Sequence, residues 1–260
     1  MPEFSAMLRP VHLAVLALLA AHVAAGDPPR VESPDNLTSV DIIERAYEQA
    51  GGEEWVNPSS LLMEGYGLFW RGTEEWVRYE PYRMWRVYPD TKSAAHAADG
   101  RVRIEALMDG ELVFQIAFDG TTTYNQDGPL DDQADSDRWA SNFGFGVIRH
   151  ALDPGYTVTR LPDDSVDGAA AYTVKITDPA GGSTLFRIRQ EDFAIVSVGF
   201  DTPRGFHERL YSDFFRNEEG GWLQPGRVRL YYDGVKANEI YWTRFEIGES
   251  YPAELFRLGD

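Results

Sequence analysis

Residues 227–247 read Arg-Val-Arg-Leu-Tyr-Tyr-Asp-Gly-Val-Lys-Ala-Asn-Glu-Ile-Tyr-Trp-Thr-Arg-Phe-Glu-Ile. Val228, Leu230 and Tyr232 alternate with Arg227, Arg229 and Tyr231, Asp233-Gly234 interrupts, and a second apolar-rich run continues to Ile247. A period of two puts successive side chains on opposite faces of a strand, and an Asp-Gly pair supplies the positive φ angles of a tight hairpin. The stretch therefore predicts two antiparallel strands with one apolar and one charged face. The same grammar recurs upstream. Asp109-Gly110 divides Arg101–Met108 from Glu111–Phe118, Asp119-Gly120 leads into Thr121–Tyr124, and Gly181-Gly182 divides Ala171–Thr177 from Ser183–Arg189. With Ser60–Trp70, Glu75–Tyr88, Tyr156–Leu161, Ala194–Asp201 and Phe206–Phe215, this gives about ten or eleven strands at the spacing of a meander. One antiparallel sheet, strongly curved, is the economical reading. Its Arg and Lys rows, such as Lys175 opposite Tyr172, Val174 and Ile176, read as a solvated outer face with cross-strand pairs to Asp and Glu.

Ahead of the strands, Thr38-Ser39-Val40-Asp41 matches a helix N-terminus with a hydroxyl cap and a carboxylate three residues on. Ile42, Ile43, Ala46, Tyr47 and Ala50 form an apolar stripe at helical spacing, and Gly51-Gly52 ends it. This helix should lay one face on the sheet. Further upstream, Arg9, an apolar stretch from Val11 to Ala21 and the small-residue site Val23-Ala24-Ala25 have the form of a secretory signal peptide, with cleavage expected after Ala25. The apolar stretch is shorter than the roughly 20 residues of a membrane-spanning helix. Residues 26–37 carry Pro28, Pro29 and Pro34 and suit a flexible lead-in, leaving 38–260 as a single domain of a secreted, periplasmic protein.

Composition narrows the chemistry. The 260 residues include no cysteine, which excludes disulfides, thiolate nucleophiles, iron–sulfur clusters and a lipidated N-terminal cysteine. Stability must then come from a large apolar core, and aromatics make up 13% of the chain. The net charge is -18, and losing Glu3 and Arg9 with the signal peptide, one charge of each sign, leaves it unchanged. Such a balance argues against a nucleic-acid partner.

One segment breaks the strand rhythm. Asp127, Asp131, Asp132, Asp135 and Asp137 make an acidic loop without the regular spacing that folds carboxylates around calcium. Ser136 to Leu152 then reads as helical, with Trp139, Phe143, Val147 and Ile148 on one stripe, while Gly144 and Gly146 each weaken it by about 1 kcal/mol relative to alanine. A glycine-softened aromatic helix between strands suits a movable lid.

A signal peptide, one amphipathic helix ending in Gly-Gly, about eleven antiparallel strands and a helical insertion together resemble the LolA/LolB-like superfamily of outer-membrane lipoprotein-sorting proteins. The likeness is clearest at Ile42-Ile43-Glu44-Arg45-Ala46, Gly51-Gly52 and Leu61 to Gly67, and again at Arg229 to Val235, Ile240 to Ile247 and Leu255-Phe256. The resemblance implies a mainly β (α+β) fold, an unclosed β-barrel around the N-terminal helix and an inserted lid helix. It also implies a hydrophobic cavity between sheet and helices that receives acyl chains or other apolar ligands, with envelope lipoproteins as partners. The chain departs from the pattern in its length, its acidic insertion and its lack of a lipidation cysteine. Arg71, Arg78 and Arg83 all compete for the family's lid-latching strand arginine, so no residue is carried over.

Trp70, Trp76, Tyr79, Tyr82, Trp85 and Tyr88 form the densest aromatic region, on two adjacent candidate strands. In a curved sheet such rings would line the interior and orient a ligand by their polar tips. Trp70, Trp76, Tyr79, Tyr82 and Trp85, with Trp139, Phe143 and Phe145 of the candidate lid, are therefore the ligand-binding candidates. The competing reading is a cofactor-independent lyase or isomerase acting on a hydrophobic or aromatic substrate in the same cavity, with His150, His207 and Arg149 as candidate groups. No nucleophile elbow, dinucleotide fingerprint, phosphate loop or paired-histidine motif occurs, so neither cofactor nor metal is implied.

Overall fold

The computed structural model describes residues 36–71, 75–89, 100–132, 147–217 and 221–259. The expected signal peptide, most of the lead-in, and Trp139, Phe143 and Phe145 lie outside the described residues. Helix α1 spans Ser39–Ala50 and ends at Gly51, whose φ of 140° suits glycine. Its start is a capping box: the Thr38 hydroxyl accepts from the Asp41 backbone N–H at 3.2 Å, and the Asp41 carboxylate accepts from the Thr38 N–H at 2.7 Å. A one-turn helix, α2 (Glu53–Val56), follows and was not legible in sequence.

The strands are β1 (Ser60–Arg71), β2 (Glu75–Val87), β3 (Arg101–Met108), β4 (Glu111–Phe118), β5 (Thr123–Asn125), β6 (Gly128–Pro129), β7 (Thr157–Val166), β8 (Ala169–Thr177), β9 (Ser183–Arg189), β10 (Ile195–Thr202), β11 (Gly205–Ser212), β12 (Phe215–Arg216), β13 (Leu223–Gln224), β14 (Arg227–Tyr232) and β15 (Val235–Ile247). Thirteen of them form one antiparallel sheet in the order β6-β5-β4-β3-β2-β1-β15-β14-β11-β10-β9-β8-β7, and β12 pairs with β13 separately. The number exceeds the expected ten or eleven because β6, β12 and β13 are two residues long, too short for any alternation to register, whereas β5 falls on the expected run Thr121–Tyr124. Another hairpin was written plainly in the sequence. Asp167-Gly168, with φ of 51° and 82°, turns β7 into β8 just as Asp109-Gly110 and Asp233-Gly234 turn their own hairpins.

Chain order makes the closure visible. The last strand returns beside the first, with Leu61 opposite Ile247 and Gly65 opposite Trp242, while β6 and β7 remain at the two edges. The sheet is open. Its curvature follows from residues that meet: Val102 of β3 and Phe186 of β9 line the same cavity. In a flat sheet their seven inter-strand steps would hold them about 34 Å apart.

Inside that curve, Ile42, Ile43, Ala46 and Ala50 of α1 share one core with Tyr172, Val174, Ile188 and Val198 from β8 to β10. Ser39 anchors the helix by donating its hydroxyl to the Val158 carbonyl at 3.1 Å, and the Tyr47 hydroxyl donates to the Ile148 carbonyl. The described end of the inserted segment is a 3-10 turn, Val147–His150, which corrects the α-helix expected to run through Leu152. Val147 and Ile148 still bury their side chains as the stripe requires.

The outer face carries ion pairs. Arg83 lies 3.3 Å from Glu105, and Arg103 bonds the same carboxylate at 3.0 Å. The buried Glu239 accepts from Arg227 at 2.9 Å and from the Tyr241 hydroxyl at 2.9 Å. Beyond the sheet's β4 end, Asp119 accepts from the Thr121 and Thr122 backbone N–H groups at 3.0 and 2.9 Å and from the Tyr124 hydroxyl at 3.1 Å. Burial alone would raise its pKa, but these donors outweigh it and hold the carboxyl at about 2. A depressed folded pKa means stability that is fully present above the unfolded value and lost as pH falls toward about 2. Asp119→Asn should accordingly flatten the fall in urea-unfolding stability between about pH 4 and pH 2 by about 1–2 kcal/mol.

Candidate functional site

The inner face of β1–β3 meets that of β9, β11, β14 and β15 around a cavity of about 270 Å3. Period two fixes what each strand presents. Strand β2 sends in Tyr82, Met84 and Arg86; β3 sends Val102 and Ile104; β14 sends Val228 and Leu230; β11 sends Arg209 and Tyr211. Trp242 closes one wall, its ring 5.6 Å from that of Tyr82. The roof is built by Trp55, by Ile148 and Arg149 of the 3-10 turn, and by Trp222 to Pro225. Trp222 is 1% exposed.

Three guanidinium groups reach this mainly apolar wall, which also includes the amides of Gln224 and Asn238. Arg149 donates from Nε to the Trp55 carbonyl at 2.6 Å and lies over the rings of Trp55 and Trp222 at 4.3 and 5.2 Å. Arg86 lies 4.8 Å from the centre of the Tyr88 ring. Arg209 donates from Nε to His207 Nε2 at 3.1 Å. Burial pulls the pKa of Arg209 down, the neighbouring Tyr211, Tyr232 and Tyr82 push it up, and the positive charge of Arg86 lowers it further. It remains a cation, because a guanidinium keeps its proton in proteins. Burial raises Tyr82 to about 12 against the opposing pull of Arg209, and it raises Tyr211 against the pull of Arg209 and Arg149. The described lining residues include no Asp, Glu or His. Such a surface can hold an apolar body and an anionic or polar end; it offers no group that exchanges a proton readily near neutral pH.

The aromatic candidates divide between the two faces. Tyr82 lines the cavity. Tyr79 is buried on the same face, its ring 5.2 Å from that of Phe69. Trp85, expected to line the interior, points outward: it pairs across strands with Leu62, and Arg103 lies 5.5 Å from its ring. Trp70 and Trp76 are cross-strand partners on that outer face too, with Lys236 at 5.3 and 5.5 Å. Those three expectations are corrected by strand phase. A register shift where Gly65 pairs with Tyr82 and Gly67 with Tyr79 lets both tyrosines face inward despite their odd spacing, and it puts Trp76 and Trp85 outside together.

Of the groups considered for catalysis, Arg149 lines the cavity. His150 turns instead toward Asp153, with Nδ1 and Oδ2 2.8 Å apart. His207 is wholly buried between the stacked ring of Phe200 at 4.7 Å and the edge of Tyr232 at 5.2 Å, behind Arg209. The three candidates do not share one site. Arg78 and Arg83, considered as lid latches, lie on the outer face over Tyr66 and beside Glu64. Arg71's side chain lies outside the described residues. Sequence reasoning missed Arg86, Arg209 and Trp222. The signal for the arginines was present, since Arg86 is in phase with Tyr82 and Met84, and Arg209 with Tyr211. Among the described residues no group of three or more His, Asp or Glu could hold a metal ion, and no helix is long and apolar enough to cross a membrane.

No protein-family profile matches the chain, and no curated protein matches it in sequence. Solved structures do match its shape. A LolA superfamily protein from Nitrosomonas europaea superposes with a TM-score of 0.51 at 12% identity, covering 85% of this chain and 97% of that one. A domain described as outer membrane lipoprotein-sorting from Vibrio parahaemolyticus gives a TM-score of 0.48 at 12% identity, covering 84% and 97%. A DUF1329 family protein from Desulfovibrio piger gives 0.49 at 8% identity, with the same coverage. The chain has the LolA-like fold: one open, curved antiparallel sheet packed on its concave side by few helices.

Proposed function

We propose that this protein binds or carries a hydrophobic ligand, a lipid acyl chain or comparable apolar molecule, in the cavity between sheet and helices. The observation that carries the reading is the cavity itself. It is walled mainly by Leu, Ile, Val, Met and aromatic side chains, with Arg86, Arg149, Arg209, Gln224 and Asn238 as its other polar groups, and its described lining residues include no carboxylate or imidazole. Pockets for small apolar ligands have this character: concave, mostly apolar, with a few placed polar groups, and from about 300 Å3 upward. A cavity of about 270 Å3 lies just below that range and suits one chain rather than several. The LolA-like fold is in keeping with such a role, as is the signal-peptide pattern of residues 1–25, which directs the mature domain to the periplasm. Envelope lipoproteins are the corresponding partners.

Organic extraction of the purified protein followed by mass spectrometry tests this. A reproducible acyl-chain molecule in the extract, with the emptied protein then binding the neutral probe N-phenyl-1-naphthylamine, is the expected result. An empty extract together with no probe binding by the same protein would end the carrier reading.

A further inference from the structure

We infer that Asn238 sets the ligand specificity of the cavity: its side-chain amide hydrogen-bonds the neutral carbonyl of an ester or amide that joins a hydrocarbon chain to the rest of the ligand. The inference rests on the hydrophobic-ligand reading above and adds to it the polar group that the wall reads. Its ground is an amide committed to nothing else. Asn238 lines the cavity, and among the described residues its side chain has no hydrogen-bond partner. Its cross-strand neighbours are Phe69 on β1 and Leu230 on β14, whose side chains can offer none. An amide in such a wall gives up water without replacement, a cost that a ligand group bonded to it would recover.

The backbone aims this residue inward. Strands β14 and β15 shift register between Leu230, which faces Asn238, and Tyr231, which faces Lys236, so that Ala237 is the extra residue of a bulge. Lys236 and Glu239, an odd number of positions apart, thereby share the outer face and form an ion pair, while Asn238 joins Ile240 and Trp242 on the inner one. The other lining amide is already spent: Gln224 Oε1 accepts from Trp222 Nε1 and its Nε2 donates to the Pro225 carbonyl, each at 3.3 Å. Arginine side chains only donate. With no carboxylate or imidazole among the described lining residues, the wall is rich in donors and poor in acceptors. A carbonyl oxygen, which only accepts, fits that balance, and a neutral group leaves water at far less cost than an ion. Val228 and Ile240, cross-strand partners one inward position along, continue the wall in apolar side chains and would take the start of the hydrocarbon chain.

The test is displacement of N-phenyl-1-naphthylamine from the mature protein by methyl undecanoate, dodecanamide and tetradecane, ligands of equal heavy-atom number. It is run on the unaltered chain and on Asn238→Leu, which keeps the size of the side chain and removes its polar atoms. In that variant the concentration needed of at least one carbonyl ligand should rise about tenfold relative to the alkane, whose own displacement holds or improves. The tighter of ester and amide on the unaltered chain names the linkage. Asn238→Thr, which keeps a donor on a side chain suited to strands, should restore part of the preference. Retained displacement by tetradecane shows that each variant is folded, and Asn238→Ala provides a second apolar variant. An unchanged ratio of both carbonyl ligands to alkane in the apolar variants would overturn the specificity inference and leave the carrier reading standing. Failure of the probe and all three ligands to bind the unaltered protein would remove both.

Discussion

Trp222→Ala is expected to lower the stability of the protein by about 3–5 kcal/mol, a large share of the 5–15 kcal/mol typical of a folded domain. The indole is 1% exposed, closes the cavity roof, and packs 6.4 Å from the ring of Phe245 in the main core. Its Nε1 donates to the Gln224 side chain at 3.3 Å, and its face supports Arg149. Removing it costs the buried area, opens a void the neighbours cannot fill, and leaves Arg149 without one of its platforms. Urea unfolding followed by far-UV circular dichroism checks the figure. Trp85→Ala is the matched control: the same side chain is lost from the outer face, and the cost should stay below about 1.5 kcal/mol.

Leu230→Trp should reduce affinity for N-phenyl-1-naphthylamine at least tenfold with the fold intact. Leu230 lies mid-strand on the inner face, opposite Arg209 on one side and Asn238 on the other. An indole there projects into the open volume rather than into packed core, so it occupies ligand space at a stability cost of about 1–3 kcal/mol. Fluorescence titration of the probe provides the measurement, with Trp76→Phe on the outer face expected to bind within about twofold of the unaltered protein.

These contrasts between faces show what the sequence could and could not convey. Alternation and Asp-Gly pairs specify strands locally, so most of the sheet was legible, as was α1 from its Thr38–Asp41 capping box and glycine stop. Alternation does not say which of two faces is concave. The sheet turns inward the face that carries Met84, Leu230 and Ile240, and it leaves three of the five described aromatic candidates outside. Counting rings pointed to Trp70, Trp76, Tyr79, Tyr82 and Trp85 alike, whereas strand phase, read through the irregularity near Gly65 and Gly67, keeps only Tyr79 and Tyr82 on the inner face. The inward arginines were hidden by a sound general rule, that charged positions face water. That rule fails at a cavity, because a lining residue is inside the fold without being packed against it. Trp222 was hidden for another reason: it sits on an irregular segment, and no periodicity marks its partners.

The most direct measurement is the anomalous scattering map of crystals grown with ω-bromododecanoic acid, which places one heavy atom at the end of an acyl chain. A bromine peak inside the curve of the sheet, among Val102, Ile104 and Ile240, is the predicted result. A peak on the outer face beside Trp70 and Trp85, with the cavity holding no chain, would contradict it.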